Sequence, residues 1–407
     1  MYQTVLFDVD GVMLSEERYF DASALTVYEI LHSPQYLARP VEANVTAAGN
    51  AAAPNVTAAS QATALPPFTV DLAEEHIRAI RRIVFADDAV LYAIKSRGVN
   101  ANWDMVYLQA AMQIAYLVEA WVAQAGAAEV RAALEPAVAN GWSRAALHTL
   151  GQHLAAANVA AAHVTAAVKF ADFVAEVEPA ADKAGLFAAV EAVLQRALPG
   201  ITPFGSGRVL WDVCQQTFQE WYVGDAHVNE TRQAGKKGFL TDEIALVDRP
   251  AFLSMLESLK AAGVSLGIAT GRPELETMVP LDAIGWLQPF DRERITTASD
   301  VLNTERAIPE AAPLSKPNPF SYLRSYLRTR DVKQVLAHPL PLPADEAKKV
   351  LVVGDSVADF LAARAIGCDF AAVLTGLEGE GARPIFEDRG ADHILSDALG
   401  VAGLFNL

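Results

Sequence analysis

At 407 residues, 52% hydrophobic and 20% charged, the chain is large enough to bury a sizeable core and to form two or three domains. Its formal charge of −17 argues against a polyanionic partner such as DNA, which a basic surface would attract. An anionic small molecule stays admissible if its site brings local cations or a metal. The two cysteines, Cys214 and Cys368, stand in no ligand spacing, which argues against a disulfide framework or a structural zinc and for a reducing compartment.

The chain opens on "TVLFDVDG" (residues 4–11), a short apolar run that reads as a buried strand and ends in two acids and a glycine. No basic n-region precedes it, so the expectation is a cytoplasmic chain without a signal peptide. From Gly11 to Lys237 nearly everything reads helical. The exception is a low-complexity stretch at 38–67, poor in aromatics and charge, with an imperfect NVTAA repeat, which reads as a surface loop or a disordered excursion. Apolar residues at three- and four-residue spacing predict helices near 71–97, 102–125, 127–139, 142–157, 161–177 and 183–197. The most apolar of these, Met105 to Ala125, is interrupted by Gln109, Gln113 and Glu119, so no membrane span is expected.

After about residue 245 the texture alternates. A helix opening at Pro250 and closing at Gly263 leads to the strand "VSLGIAT", a helix near 273–284 and the short strand "RITTAS". The helix "PFSYLRSYLRTR", the strand "KKVLVVGD", the helix "ADFLAARAIG" and the strand "DFAAVLTG" follow. Such alternation means βαβ units and a parallel sheet. The first strand finds no partner until residue 264, far beyond the dozen or so residues a crossover needs. Residues 1–14 plus 245–407 are therefore expected to form one α/β core, and 15–244 an inserted all-helical domain.

Parallel sheets bind ligands at the carboxyl ends of their strands. Those ends deliver Asp8, Asp10 and Gly11; Thr270, Gly271 and Arg272; and Asp355, Ser356 and Asp359, with Lys316 from a loop that opens a helix. This set suits phosphoryl transfer to a carboxylate. Asp8 would be the nucleophile, and Asp10, in the same turn, the acid that protonates the leaving alkoxide and then the base that activates water. Thr270, the amide after it and Lys316 would donate to phosphoryl oxygens, with Arg272 a further candidate substrate contact. Asp8 and Asp355 would hold a hard cation such as Mg²⁺.

The ordered motifs Asp8-Val9-Asp10-Gly11-Val12, Thr270-Gly271, Lys316-Pro317 and Gly354-Asp355-Ser356 with Asp359 resemble those of the haloacid dehalogenase (HAD) superfamily. The resemblance implies a Rossmann-like parallel sheet, an aspartyl-phosphate on Asp8, and a Mg²⁺ site drawn from Asp8, Asp10, Asp355 and Asp359. It also implies that the insertion, which falls between the first and second motifs, is a cap that selects the substrate, although here it is much larger than the usual small bundle. Within that family a phosphatase acting on a small phosphate ester, phosphoglycolate-like or sugar-phosphate-like, is the leading expectation. A phosphomutase of the β-phosphoglucomutase kind is the alternative. A non-catalytic interaction scaffold is disfavoured, because a scaffold gains little from several like charges on one rim.

Overall fold

The computed structural model describes residues 2–39, 65–99, 101–157, 169–231 and 233–405. Residues 40–64 of the low-complexity stretch expected at 38–67, and 161–168 of the helix expected at 161–177, lie outside them. The chain divides into two units, Met1–Arg18 with Leu240–Leu407, and Tyr19–Phe239.

The first unit is an α/β sandwich. Its strands are β1 (Thr4–Phe7), β2 (Ser265–Ala269), β3 (Ile295–Thr296), β4 (Val350–Gly354), β5 (Asp369–Val373) and β6 (His393–Leu395). They form one sheet of order β3-β2-β1-β4-β5-β6, parallel throughout. Both faces of the sheet are covered, which is why its central strands read as unbroken apolar runs. Val5, Phe7, Leu266, Ile268, Leu351 and Val353 pack to one side, with Phe252, Leu256 and Leu259 of the helix Arg249–Ala261. Leu6, Ala269, Val350, Val352 and Phe370 pack to the other, with Phe320 and Leu323 of Phe320–Leu327 and Phe360, Ala363 and Ile366 of Val357–Ile366. Each large side chain buried there contributes roughly 1.5–3 kcal/mol. Phe7 meets Phe252 and Phe290 edge-on, each at a centroid distance of 6.0 Å. The helix starts as its sequence requires: the Asp248 carboxylate accepts from the Ala251 amide (3.0 Å), and Pro250 occupies the first turn, where no amide hydrogen is needed.

Strand order reverses between β1 and β4, so the loops that follow these two strands flank the topological switch point. The chain leaves and re-enters this unit as an antiparallel pair. Leu14 bridges Ala245, the Ser15 amide donates to Ile244 O (2.8 Å), and the Leu246 amide donates to Met13 O (3.0 Å). Farther along, the buried Arg18 donates through Nε to Asp242 O (2.9 Å) and through Nη2 to Asp242 Oδ2 (2.6 Å). These ties extend the α/β unit to Arg18 and back to Leu240, beyond the junctions expected at 14/15 and 244/245.

The second unit is helical, including Glu74–Val84, Ala89–Lys95, Asn102–Ala125, Ala127–Val138, Arg144–Ala156, Lys183–Ala197 and Val209–Val223. The helix expected over 71–97 is instead two. Ala86, Asp87 and Asp88 take positive φ between them, which ends one helix, and Asp88 then pairs with Arg81 (2.9 Å). Asn102–Ala125 is long and apolar enough to cross a bilayer by length and composition, yet 83% of its most apolar window is buried within the protein. Its buried amides are used inside: Gln109 Nε2 donates to Val84 O (2.5 Å), and Gln113 Oε1 accepts from the Lys169 amide (2.9 Å). The unit also encloses an ionic cluster. Lys236 Nζ lies 2.8 Å from Glu29 Oε2 and 2.6 Å from Glu220 Oε2, and all three side chains are fully buried.

Candidate active site

Asp8 follows β1 directly, and its own amide is pinned to Val353 O of β4 (2.9 Å), so the carboxylate is delivered at the switch point. Oδ1 of Asp8 accepts from the Val9 amide (2.8 Å). Oδ2 lies 2.9 Å from Lys316 Nζ, which also reaches Asp359 Oδ1 at 2.7 Å. Asp359 is held from every side. Tyr322 donates its hydroxyl to Oδ1 (2.8 Å) and Ser356 Oγ donates to Oδ2 (2.6 Å). Ser356 at the same time caps the helix Val357–Ile366, with Asp359 completing the capping box. Asp359 is thus the anchor that aims Lys316 at Asp8.

Asp355, at the end of β4, completes a group: one carboxylate oxygen from each of Asp8, Asp355 and Asp359 lies within 4.8 Å of the others. Two glycines cradle it. A Cβ at Gly11 or at Gly376 would stand 2.1 Å from Asp355 Oδ2, and Gly11 also takes φ +69°, which favours glycine in this tight turn. Among the described residues, the Asp355 side chain has no hydrogen-bond donor or ion-pair partner.

Three carboxylates here face one ammonium. Burial pushes Asp8 up to about 7 against the pull of Lys316, and burial together with the Asp359 and Asp8 charges pushes Asp355 well above the carboxylate range. Asp359 is buried too, yet the Lys316 ammonium and the Ser356 and Tyr322 hydroxyls hold it below its ordinary value. Burial alone would lower Lys316; the two carboxylates beside it raise it above its ordinary value, so it stays charged. Hard oxygen donors, close spacing and a deficit of positive charge fit a divalent cation such as Mg²⁺.

The remaining expected residues have different surroundings. Asp10 is not part of the carboxylate group and faces Arg272 instead, whose Nε donates to Asp10 Oδ1 (2.7 Å). Of the four acids expected at the metal site, Asp8, Asp355 and Asp359 are the three whose carboxylates gather. Arg272, expected to contact substrate, is 1% exposed and bound to the protein by Asp10 and by Glu243 Oε1 (2.7 Å). Thr270 is buried, and its Oγ1 accepts from the Arg272 amide (3.1 Å). Gly271 is exposed, and a Cβ added there would meet nothing within 4 Å. Tyr322, Glu243 and Gly376 belong to this neighbourhood without having been expected. Tyr322 lies in the helix that follows Lys316 and Gly376 ends the run "DFAAVLTG", but Glu243 carries no signal in its local pattern.

A family profile described as HAD-hydrolase-like matches residues 313–399, the stretch carrying Lys316, Asp355 and Asp359. The X-ray structure of a Northeast Structural Genomics Consortium target is 32% identical, with 99% of this chain and 98% of that chain covered at a TM-score of 0.80. This match runs through the helical insertion as well as the α/β unit. A hydrolase from Pseudomonas syringae is 20% identical, covering 51% of this chain and 75% of its own, with a TM-score of 0.31. The L-2-haloacid dehalogenase of Xanthobacter autotrophicus is 15% identical over 54% of this chain and 76% of its own, with a TM-score of 0.26. Among curated proteins none matches the chain.

Proposed function

The chain belongs to the haloacid dehalogenase superfamily of hydrolases, and on that premise we propose that it is a Mg²⁺-dependent phosphatase of a small phosphate ester. The observation that supports this reading most is the separation of the two acids of the first loop. Asp8 faces Lys316 and the other carboxylates, while Asp10 is turned to Arg272. A nucleophile and a proton carrier need such different surroundings, whereas displacement of a halide would leave Asp10 without a task.

An Asp8 carboxylate oxygen attacks phosphorus, the ester P–O bond breaks, and Asp10 gives its proton to the departing alkoxide. Water then attacks the aspartyl-phosphate, returns a proton to Asp10, and free phosphate leaves with Asp8 restored. Lys316 faces the oxygens of the transferring group, and Asp359 holds it there. Asp8, Asp355 and Asp359 would hold the cation, which when bound offsets repulsion between an anionic nucleophile and an anionic ester.

The test is phosphate release from a panel of phosphorylated metabolites with Mg²⁺, comparing wild type with Asp8→Asn and Asp10→Asn. Hydrolysis by the wild type that is lost in both variants and under chelation supports the proposal. Interconversion of sugar phosphates without release would replace it with a mutase. Inactivity toward every compound would overturn it.

A further inference from the structure

Arg272 makes a continuous ionic chain in the wall of the first loop. Its Nε donates to Asp10 Oδ1 at 2.7 Å, and its Nη2 lies 2.6 Å from the same oxygen. Its Nη1 donates to Glu243 Oε1 at 2.7 Å and, more weakly, to Glu276 O at 3.4 Å. Arg272 and Glu243 are 1% and 2% exposed, while the Asp10 side chain keeps 28% of its surface accessible. The backbone at Arg272 is fastened as well. Its amide donates to Thr270 Oγ1 (3.1 Å), and its carbonyl accepts from the Ala298 amide (2.9 Å). Glu243 is fixed in turn, because Arg249 Nη2 donates to its carbonyl (3.0 Å).

Both guanidinium nitrogens that reach Asp10 converge on one oxygen. They fix the orientation of the carboxylate. A catalytic carboxylate benefits from being clamped in one orientation. A planar guanidinium engaged at both edges is also a better clamp than a flexible ammonium.

We propose that Arg272 and Glu243 are positioning residues for proton transfer: Glu243 sets Arg272, and Arg272 aims Asp10. Neither touches substrate. The inference rests on the phosphatase reading, in which Asp10 carries the proton. It assigns a task to Glu243, on the segment where the chain returns from the helical insertion, and it replaces substrate contact as the task of Arg272.

The test measures kcat/KM, which reports transfer to Asp8, for 2,4-dinitrophenyl phosphate and phenyl phosphate in the full chain with Mg²⁺. The first leaving group departs without a proton and the second needs one. Asp10→Asn is expected to lose activity mainly on phenyl phosphate. Glu243→Gln and Arg272→Lys are expected to do the same, with a loss about 10- to 100-fold greater on phenyl phosphate, the range for an ångström of misplacement. Glu243→Asp should recover part of it. If Arg272→Lys does not fold, the isosteric Glu243→Gln decides alone. Equal losses on both esters in Glu243→Gln, with Asp10→Asn still selective, would make the chain merely structural and overturn this inference alone. A wild type that cleaves neither ester, or an Asp10→Asn without selectivity, would overturn the phosphatase reading and this inference with it.

Discussion

Replacing Lys236 with Met removes the ammonium that bridges two fully buried carboxylates, those of Glu29 (2.8 Å) and Glu220 (2.6 Å), while nearly conserving volume. Burial pushes Glu29 from 4.5 up to about 7, with Lys236 pulling the other way. The native state then keeps a proton that the unfolded chain releases. Stability of the wild type should therefore fall as pH rises from about 4.5 to 7, by up to roughly 3 kcal/mol at 1.4 kcal/mol per pH unit. Without the ammonium the pull that lowers Glu29 is gone and two buried carboxylates lose their bridge, which should cost roughly 3–5 kcal/mol at pH 7. The loss should be smaller at pH 5, nearer the range where the unfolded chain also holds the Glu29 proton. The assay is urea unfolding at both pH values followed by tryptophan fluorescence, since all the tryptophans except Trp286 lie in the helical unit. A loss equal at pH 5 and pH 7, or below about 1 kcal/mol at pH 7, would refute the reasoning.

Mg²⁺ at about 100 times its Kd should stabilise the wild type by about 2.7 kcal/mol, seen as a rise in Tm; a comparable rise in Asp355→Asn would remove Asp355 from the cation site. Gly376→Ala puts a methyl group 2.1 Å from Asp355 Oδ2, so calorimetric titration should show Mg²⁺ binding weakened by about 10- to 100-fold; unchanged affinity would mean that the carboxylate finds another seat. Tyr322→Phe withdraws the hydroxyl donor from Asp359 and should cost roughly 1–2 kcal/mol in chemical unfolding, with kcat falling more than KM rises; loss in KM alone would place Tyr322 at the substrate instead.

The parallel core was legible because buried strands such as "VLVVG" are apolar on both faces and Pro250 and Gly263 punctuate a helix. The residues that end those strands pointed to the site for the same reason: topology gathers strand ends whatever lies between them. Direction of a side chain was not legible. Asp10 faces Arg272, and Arg272 faces Glu243, a residue distant in sequence from both. The break at Ala86–Asp88 was hidden likewise. Three positive φ values in a stretch without glycine leave no mark in hydrophobic periodicity.

The paired exit at Leu14 and Ala245 has a consequence for how the gene could have grown. To the α/β unit, everything from Tyr19 to Phe239 is a loop whose ends are already zipped together. Doubling the length of such a loop adds only about 0.6 kcal/mol of closure entropy. Selection could therefore lengthen, shorten or exchange the helical segment almost freely, with the fold of the sheet indifferent to what hangs between the two ends of the zipper.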